Sequence, residues 1–184
     1  MSVSRSARSV RSTLLGAVGG VVATATMTAV MAVAERAGFV GRPPPAILTT
    51  RILHWLGARP PRPIERALTV VAHVGFGAGA GALFGALAGA LDRDDTPPLV
   101  SSPLAKTLAG PLYGLAVWAL SYAGWVPATG LMPAPRDDRP MRPVSMIAAH
   151  LVYGGTLAAT HRALTRTSVS RLREALDRPL ESST

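Results

Sequence analysis

The sequence predicts an all-α polytopic membrane protein, with four transmembrane helices built as two parallel-related hairpins and a short interfacial helix between spans one and two. Three observations carry that prediction. Charged residues are only 16% of the 184 residues, and they are gathered into short segments that leave long stretches with none. Soluble domains carry about 25% charge, with polar residues down one side of each surface helix. Hydrophobic residues reach 48% and the mean hydropathy is +0.30. Finally, four stretches have about the 20 apolar residues that a helix rising 1.5 Å per residue needs to cross the hydrocarbon core.

The elements follow in order. Residues 1–11 form a basic N-terminal segment with Arg5, Arg8 and Arg11. The transmembrane domain covers 12–164, and its first span, about 12–38, runs from Ser12 to Ala34 without a charge. Ala32-Val33-Ala34 also fits a signal-peptidase site. The apolar run is too long for a signal peptide, whose hydrophobic region is about 7–15 residues. The linker that follows is rich in Pro and Arg but contains an apolar stripe of Ile47, Leu48, Ile52, Trp55 and Leu56. A helix of about 46–56 is too short to span, so it is expected in the interface. Trp55, and Trp125 at the end of span three, are the expected headgroup anchors. Span two, about 65–91, has no formal charge from Ala67 to Leu91. The next linker, 92–103, is acidic, and Asp92, Asp94 and Asp95 lack the spacing and closing Glu of a calcium loop. Span three covers about 107–125, with an early proline, Pro111, near its start. An irregular linker with Arg136, Arg139 and Arg142 leads to span four, about 144–164. Residues 165–184 form a basic tail in which Val169, Leu172 and Leu176 recur at helical spacing, as in a helix lying on a membrane surface.

The two halves match. Ala72-His73-Val74-Gly75-Phe76-Gly77 in span two corresponds to Ala149-His150-Leu151-Val152-Tyr153-Gly154 in span four. Gly38-Phe39-Val40 pairs with Gly124-Trp125-Val126, and Gly16/Gly20 with Gly110/Gly114. Two spans per unit make the repeat parallel. This layout, with a Pro/Arg linker after span one and a last span opening as Ala149-His150-Leu151-Val152-Tyr153, resembles the YagU-like family of bacterial inner-membrane proteins of unknown function. The likeness covers about residues 14–166 and implies a four-helix inner-membrane protein without assigned chemistry. The Gly-rich second span departs from that pattern.

Two features invite a functional reading. Gly77, Gly81, Gly85 and Gly89 recur every fourth residue and form a stripe on which another backbone can pack closely, within the chain or in a homo-oligomer or membrane-protein partner. His73 and His150 fall at similar depth in parallel helices. Intramembrane ionisable groups are costly, so this pair is a functional candidate. The plainer reading is that each ring ties its helix to a neighbour. No Asp, Glu, Lys or Arg lies mid-span to complete a proton relay or ligand set. Without cysteine there is no disulfide, thiolate zinc site or thiol nucleophile. No catalytic or nucleotide-binding motif is present, so no enzyme activity, catalytic residue, cofactor or metal ligand is expected. The +9 charge flanks apolar runs instead of forming a stripe, which points to lipid headgroups as partners and away from nucleic acid. Ten basic residues flank the face with the termini and nine the opposite face, so charge does not set orientation. Cytoplasmic termini are expected because the first helix often dominates. The leading expectation is a structural or accessory membrane component that packs or self-associates through its Gly-rich helix. The rival is a small channel or transporter for protons or metal ions using His73 and His150.

Overall fold

The computed structural model describes residues 2–91 and 102–176. The acidic linker, with Asp92, Asp94 and Asp95, and the end of the C-terminal tail lie outside the described residues. What is described is helical: α1 (Ser2–Arg36), α2 (Pro44–Trp55), α3 (Arg62–Leu91), α4 (Pro103–Leu120) and α5 (Met141–Leu176). Two of these, over Ser6–Arg36 and Arg62–Leu91, are long and apolar enough to cross a membrane by length and composition alone.

Local chemistry sets the helix ends. Prolines open α2 and α4 within the first turn, where no intrahelical donor is lost. Ser102 caps α4 by accepting from the Ala105 N–H at 3.2 Å. At their C-termini α1 and α2 use the same device: Gly38 (φ 79°) and Gly57 (φ 71°) turn left-handed. Their neighbours then close the end, Phe39 donating to the Ala34 carbonyl at 2.9 Å and Ala58 to the Leu53 carbonyl at 2.8 Å.

The four long helices pack as α3 on α1, α1 on α5, and α5 on α4, with α2 laid over α3. Glycine permits two of these contacts. A Cβ on Gly81 would stand 2.7 Å from the Gly20 Cα, and one on Gly16 would stand 2.8 Å from the Gly85 Cα. In the second hairpin a Cβ on Gly114 would lie 3.0 Å from the Gly154 amide. The fourth side of the bundle is joined by long side chains. Tyr113 donates from α4 to the Ala80 carbonyl at 2.6 Å, and Tyr153 donates from α5 to the Gly77 carbonyl at 2.7 Å. Phe84 meets the Tyr113 ring edge-on at 5.2 Å.

Both interhelical loops on the far side from the N-terminus dock on one another. The Arg51 guanidinium of α2 donates to the Leu131 carbonyl at 2.6 Å, and Val40 and Met132 are both buried. The core is concentrated towards this end, in Met27, Met31, Tyr122, Val126, Met146 and Tyr153.

Several boundaries differ from the sequence expectation. The basic segment 1–11 is not separate, since α1 starts at Ser2. The C-terminal tail continues α5 to Leu176 as one unbroken 36-residue helix. Ser and Thr there return hydroxyl bonds to carbonyls four residues back, as Ser168 does to Leu164 at 2.7 Å, so polarity did not interrupt the helix. Span three ends differently too. α4 widens into a π-helical turn, Ser121–Trp125, and then makes one more α turn, Val126–Ala128. The Ser121 hydroxyl donates to the Val117 carbonyl at 2.6 Å as the turn opens. The extra residue re-aims the side chains, so Tyr122 and Val126 point inward while Trp125 remains 42% exposed. It also changes the repeat. Gly124 is helical, and the left-handed glycine equivalent to Gly38 is Gly130 (φ 72°). The linker expected to be irregular contains a short 3-10 turn, Pro135–Asp137.

Candidate functional site

The two histidines reach one level of the bundle by a shared landmark. Tyr153 on α5 bonds the Gly77 carbonyl on α3, and each helix carries its histidine about one turn before that bond. His150 is buried and His73 half-buried. The His150 Nδ1 lies 2.8 Å from the Met146 carbonyl, which only accepts. The neutral ring therefore carries its proton on Nδ1 and leaves the Nε2 lone pair bare. Gly114 presses directly on the His150 carbonyl, so α4 and α5 touch backbone to backbone at this level.

The glycine stripe of α3 is covered by α1. Gly77, Gly81 and Gly85 are buried, and Gly77 admits the Thr24 hydroxyl, which itself donates to the Gly20 carbonyl at 2.7 Å. At Gly89 a Cβ would stand 3.1 Å from the Ser12 Cβ. The second hairpin repeats the contact one helical turn out of step. Gly20 rests on the Gly77 carbonyl, whereas Gly114 rests on the carbonyl of His150, the counterpart of His73. Of the expected anchors, Trp55 is 83% exposed at the end of α2, and Trp125 is exposed at the π turn.

Sequence reading missed a polar cluster beyond the histidines. Asp138 accepts from Arg142 at 2.5 Å, from the Tyr122 hydroxyl at 2.6 Å and from the Arg139 amide at 2.7 Å. The ion pair is desolvated, with side chains 9% and 3% exposed. The buried Arg142 Nε–H and Trp118 Nε1–H find no acceptor among the described residues. The sequence reading places Arg142 with Arg136 and Arg139 in an irregular linker. The available signal was the Asp138/Arg142 spacing of four at the start of a helix.

At the opposite end His161, also buried, faces Ser12 at 3.1 Å. The Ser12 hydroxyl donates to the Gly85 carbonyl at 2.7 Å, so His161 Nε2 is the donor in this pair. A pocket of about 100 Å³ lies away from both histidine levels, where Thr50, His54, Arg59 and Glu65 line the gap between α2 and α3. Arg42 reaches Glu65 there at 3.0 Å. Among the described residues no three His, Asp or Glu side chains converge. Compared with known proteins, the chain matches no family model, no curated protein and no solved structure.

Proposed function

We propose that the chain is a four-span membrane protein, with α4 and its π turn as the third span and α5 as the fourth, that acts as a structural or accessory membrane component. One observation carries this reading: large apolar side chains cover the outside of the bundle, while several polar ones are buried within it. Leu104, Leu108, Leu112 and Leu120 point outward from α4, and Val144, Leu151 and Val152 from α5, while His150, Arg142, Ser145 and Tyr153 are buried. In water that arrangement is unfavourable by about 25 cal/mol for each Å² of exposed apolar surface; in lipid it costs nothing. Only 17% of the apolar window of α3 is buried by protein, which leaves most of that helix free to face lipid or a partner helix. The stripe on α3 serves the chain's own packing, which leaves the outer faces of α3 and α4 for a partner helix. A conducting role for His73 and His150 is the weaker reading because their level is closely packed.

Reconstitution tests the choice. Vesicles containing the full chain should pass protons and potassium no faster than empty ones, while the protein resists alkaline extraction. A flux abolished by His150→Asn would replace the structural reading with the transporter one.

A further inference from the structure

The histidine level holds more than histidines. Four of the chain's six methionines, Met27, Met31, Met132 and Met146, are buried in one core cluster. Met27 and Met31 stand four apart on α1, and Met146 and His150 stand four apart on α5, so each pair shares a helix face. All four of these side chains are at least nine-tenths buried. The two pairs stand on helices that pack against each other, α1 on α5. α1 and α5 run antiparallel, with Ser12 opposite His161 and the Thr26 hydroxyl 3.2 Å from that of Thr156. Counting on from Ser12 places Met27 opposite Met146, and counting on from Thr26 places Met31 opposite Leu151, next to His150. On the α3 side, Gly16 opposite Gly81 and Gly20 opposite Gly77 bring Thr24 and Met27 to the turn of His73.

We propose that this level is a binding site for a soft monovalent metal ion, Cu(I) in the cell and Ag(I) as its redox-inert analogue. The ligands are the thioethers of Met27, Met31 and Met146 and the Nε2 of His150, with His73 at the edge. Three physical arguments converge. Thioether sulfur selects Cu(I) over harder ions, and imidazole tolerates it. The His150 Nδ1–H held by the Met146 carbonyl is the outer hydrogen bond that metal-binding histidines use to fix ring and tautomer. Every donor in the set is neutral. The penalty for burying an ion rises with the square of its charge, so a site without carboxylate or thiolate suits one positive charge and not two. The proposal rests on the packing of the bundle and not on the number of spans or on conduction, so a failed topology or flux experiment would leave it standing.

The experiment is titration of the purified full chain in detergent with Ag(I), followed by calorimetry and by the unfolding midpoint. A Met141→Leu background removes an exposed thioether. One Ag(I) per chain should bind and raise the midpoint. Met27→Leu with Met146→Leu, which keeps side-chain volume, should weaken binding at least about tenfold, and His150→Gln should do the same. Zn(II) should compete poorly. X-ray absorption at the silver edge of the unmutated core should show sulfur neighbours, which keeps the test decisive even if a variant does not fold. Absence of a saturable Ag(I) site, a silver shell of nitrogen and oxygen only, or unchanged affinity in the folded Met27/Met146 variant would each overturn the proposal.

Discussion

At the scale of single residues, the same amino acid means different things at different heights of the bundle. Gly81 faces the Gly20 backbone at a distance no Cβ tolerates, whereas a Cβ on Gly79, two positions earlier, would meet nothing within 4 Å. Gly81→Ala should therefore cost about 1–3 kcal/mol through forced separation of α1 and α3. Gly79→Ala should be neutral or slightly stabilising, since alanine favours helix. Unfolding midpoints in detergent compare the two, and equal midpoints would mean that the stripe does not carry the α1/α3 contact. Asp138 supplies the second case. Its carboxylate is the acceptor for a buried guanidinium, and Asp138→Asn strands that charge, for which the expected loss is about 3–5 kcal/mol. Tyr122→Phe removes one hydrogen bond to the same carboxylate and should cost less, about 1.5–3 kcal/mol. A larger effect from Tyr122→Phe than from Asp138→Asn would show that the ion pair is not the centre of the cluster.

At the scale of elements, the bundle has two sides packed backbone to backbone through glycine and a seam held by side chains. Close glycine contacts bind α1 to α3 and α4 to α5. The seam from α3 to α4 and α5 depends on the Tyr113 and Tyr153 hydroxyls and on Phe84. Each hydroxyl contributes about 0.5–1.5 kcal/mol. Tyr113→Phe and Tyr153→Phe together should loosen that seam while sparing the glycine contacts. Hydrogen exchange in detergent should then rise in α3 near Gly77 and Ala80 and stay unchanged in α1 near Gly16. Uniform acceleration through all helices would show instead that the bundle opens as one unit. The π turn belongs to this scale as well, because it moves the end of the third helical stretch from Gly124 to Gly130 and so lets Met132 enter the core beside Val40.

At the scale of the molecule, the hairpin tips dock on one face and the chain ends lie on the other. Arg51 holds Leu131 on the first face. On the second, Arg162 donates to the Lys106 carbonyl at 2.9 Å and Ser12 meets both Gly85 and His161. The absence of cysteine allows single cysteines at Ser6, Arg59 and Ser170 to report sidedness with an impermeant maleimide in intact cells. Labelling at Arg59 alone is the expected result for cytoplasmic termini. Label at Ser6 and Ser170 but not Arg59 would invert the orientation. Label separating Ser6 from Ser170 would overturn the four-span arrangement.

Composition and periodicity alone determined that the chain is helical, where its apolar runs lie, and that Gly77, Gly81 and Gly85 share one face, because these are properties of one helix in one solvent. They also led to the expectation of His73 and His150 at similar heights on their helices, and the Tyr153–Gly77 bond sets the two helices side by side near that level. What covers each face was decided by tertiary structure. α1 fills the α3 stripe, the second hairpin slides by one turn, and the π turn turns Tyr122 inward towards Asp138. Arg142 looks like any loop arginine until Asp138 folds against it, and the buried methionines read as ordinary apolar residues until α1 and α5 set their register. The physical reason is that spacing along a chain fixes which side chains share a helix face, whereas the energy of a buried charge or a glycine gap depends on the neighbour opposite, which for Gly16 and Gly81 lies 65 positions away.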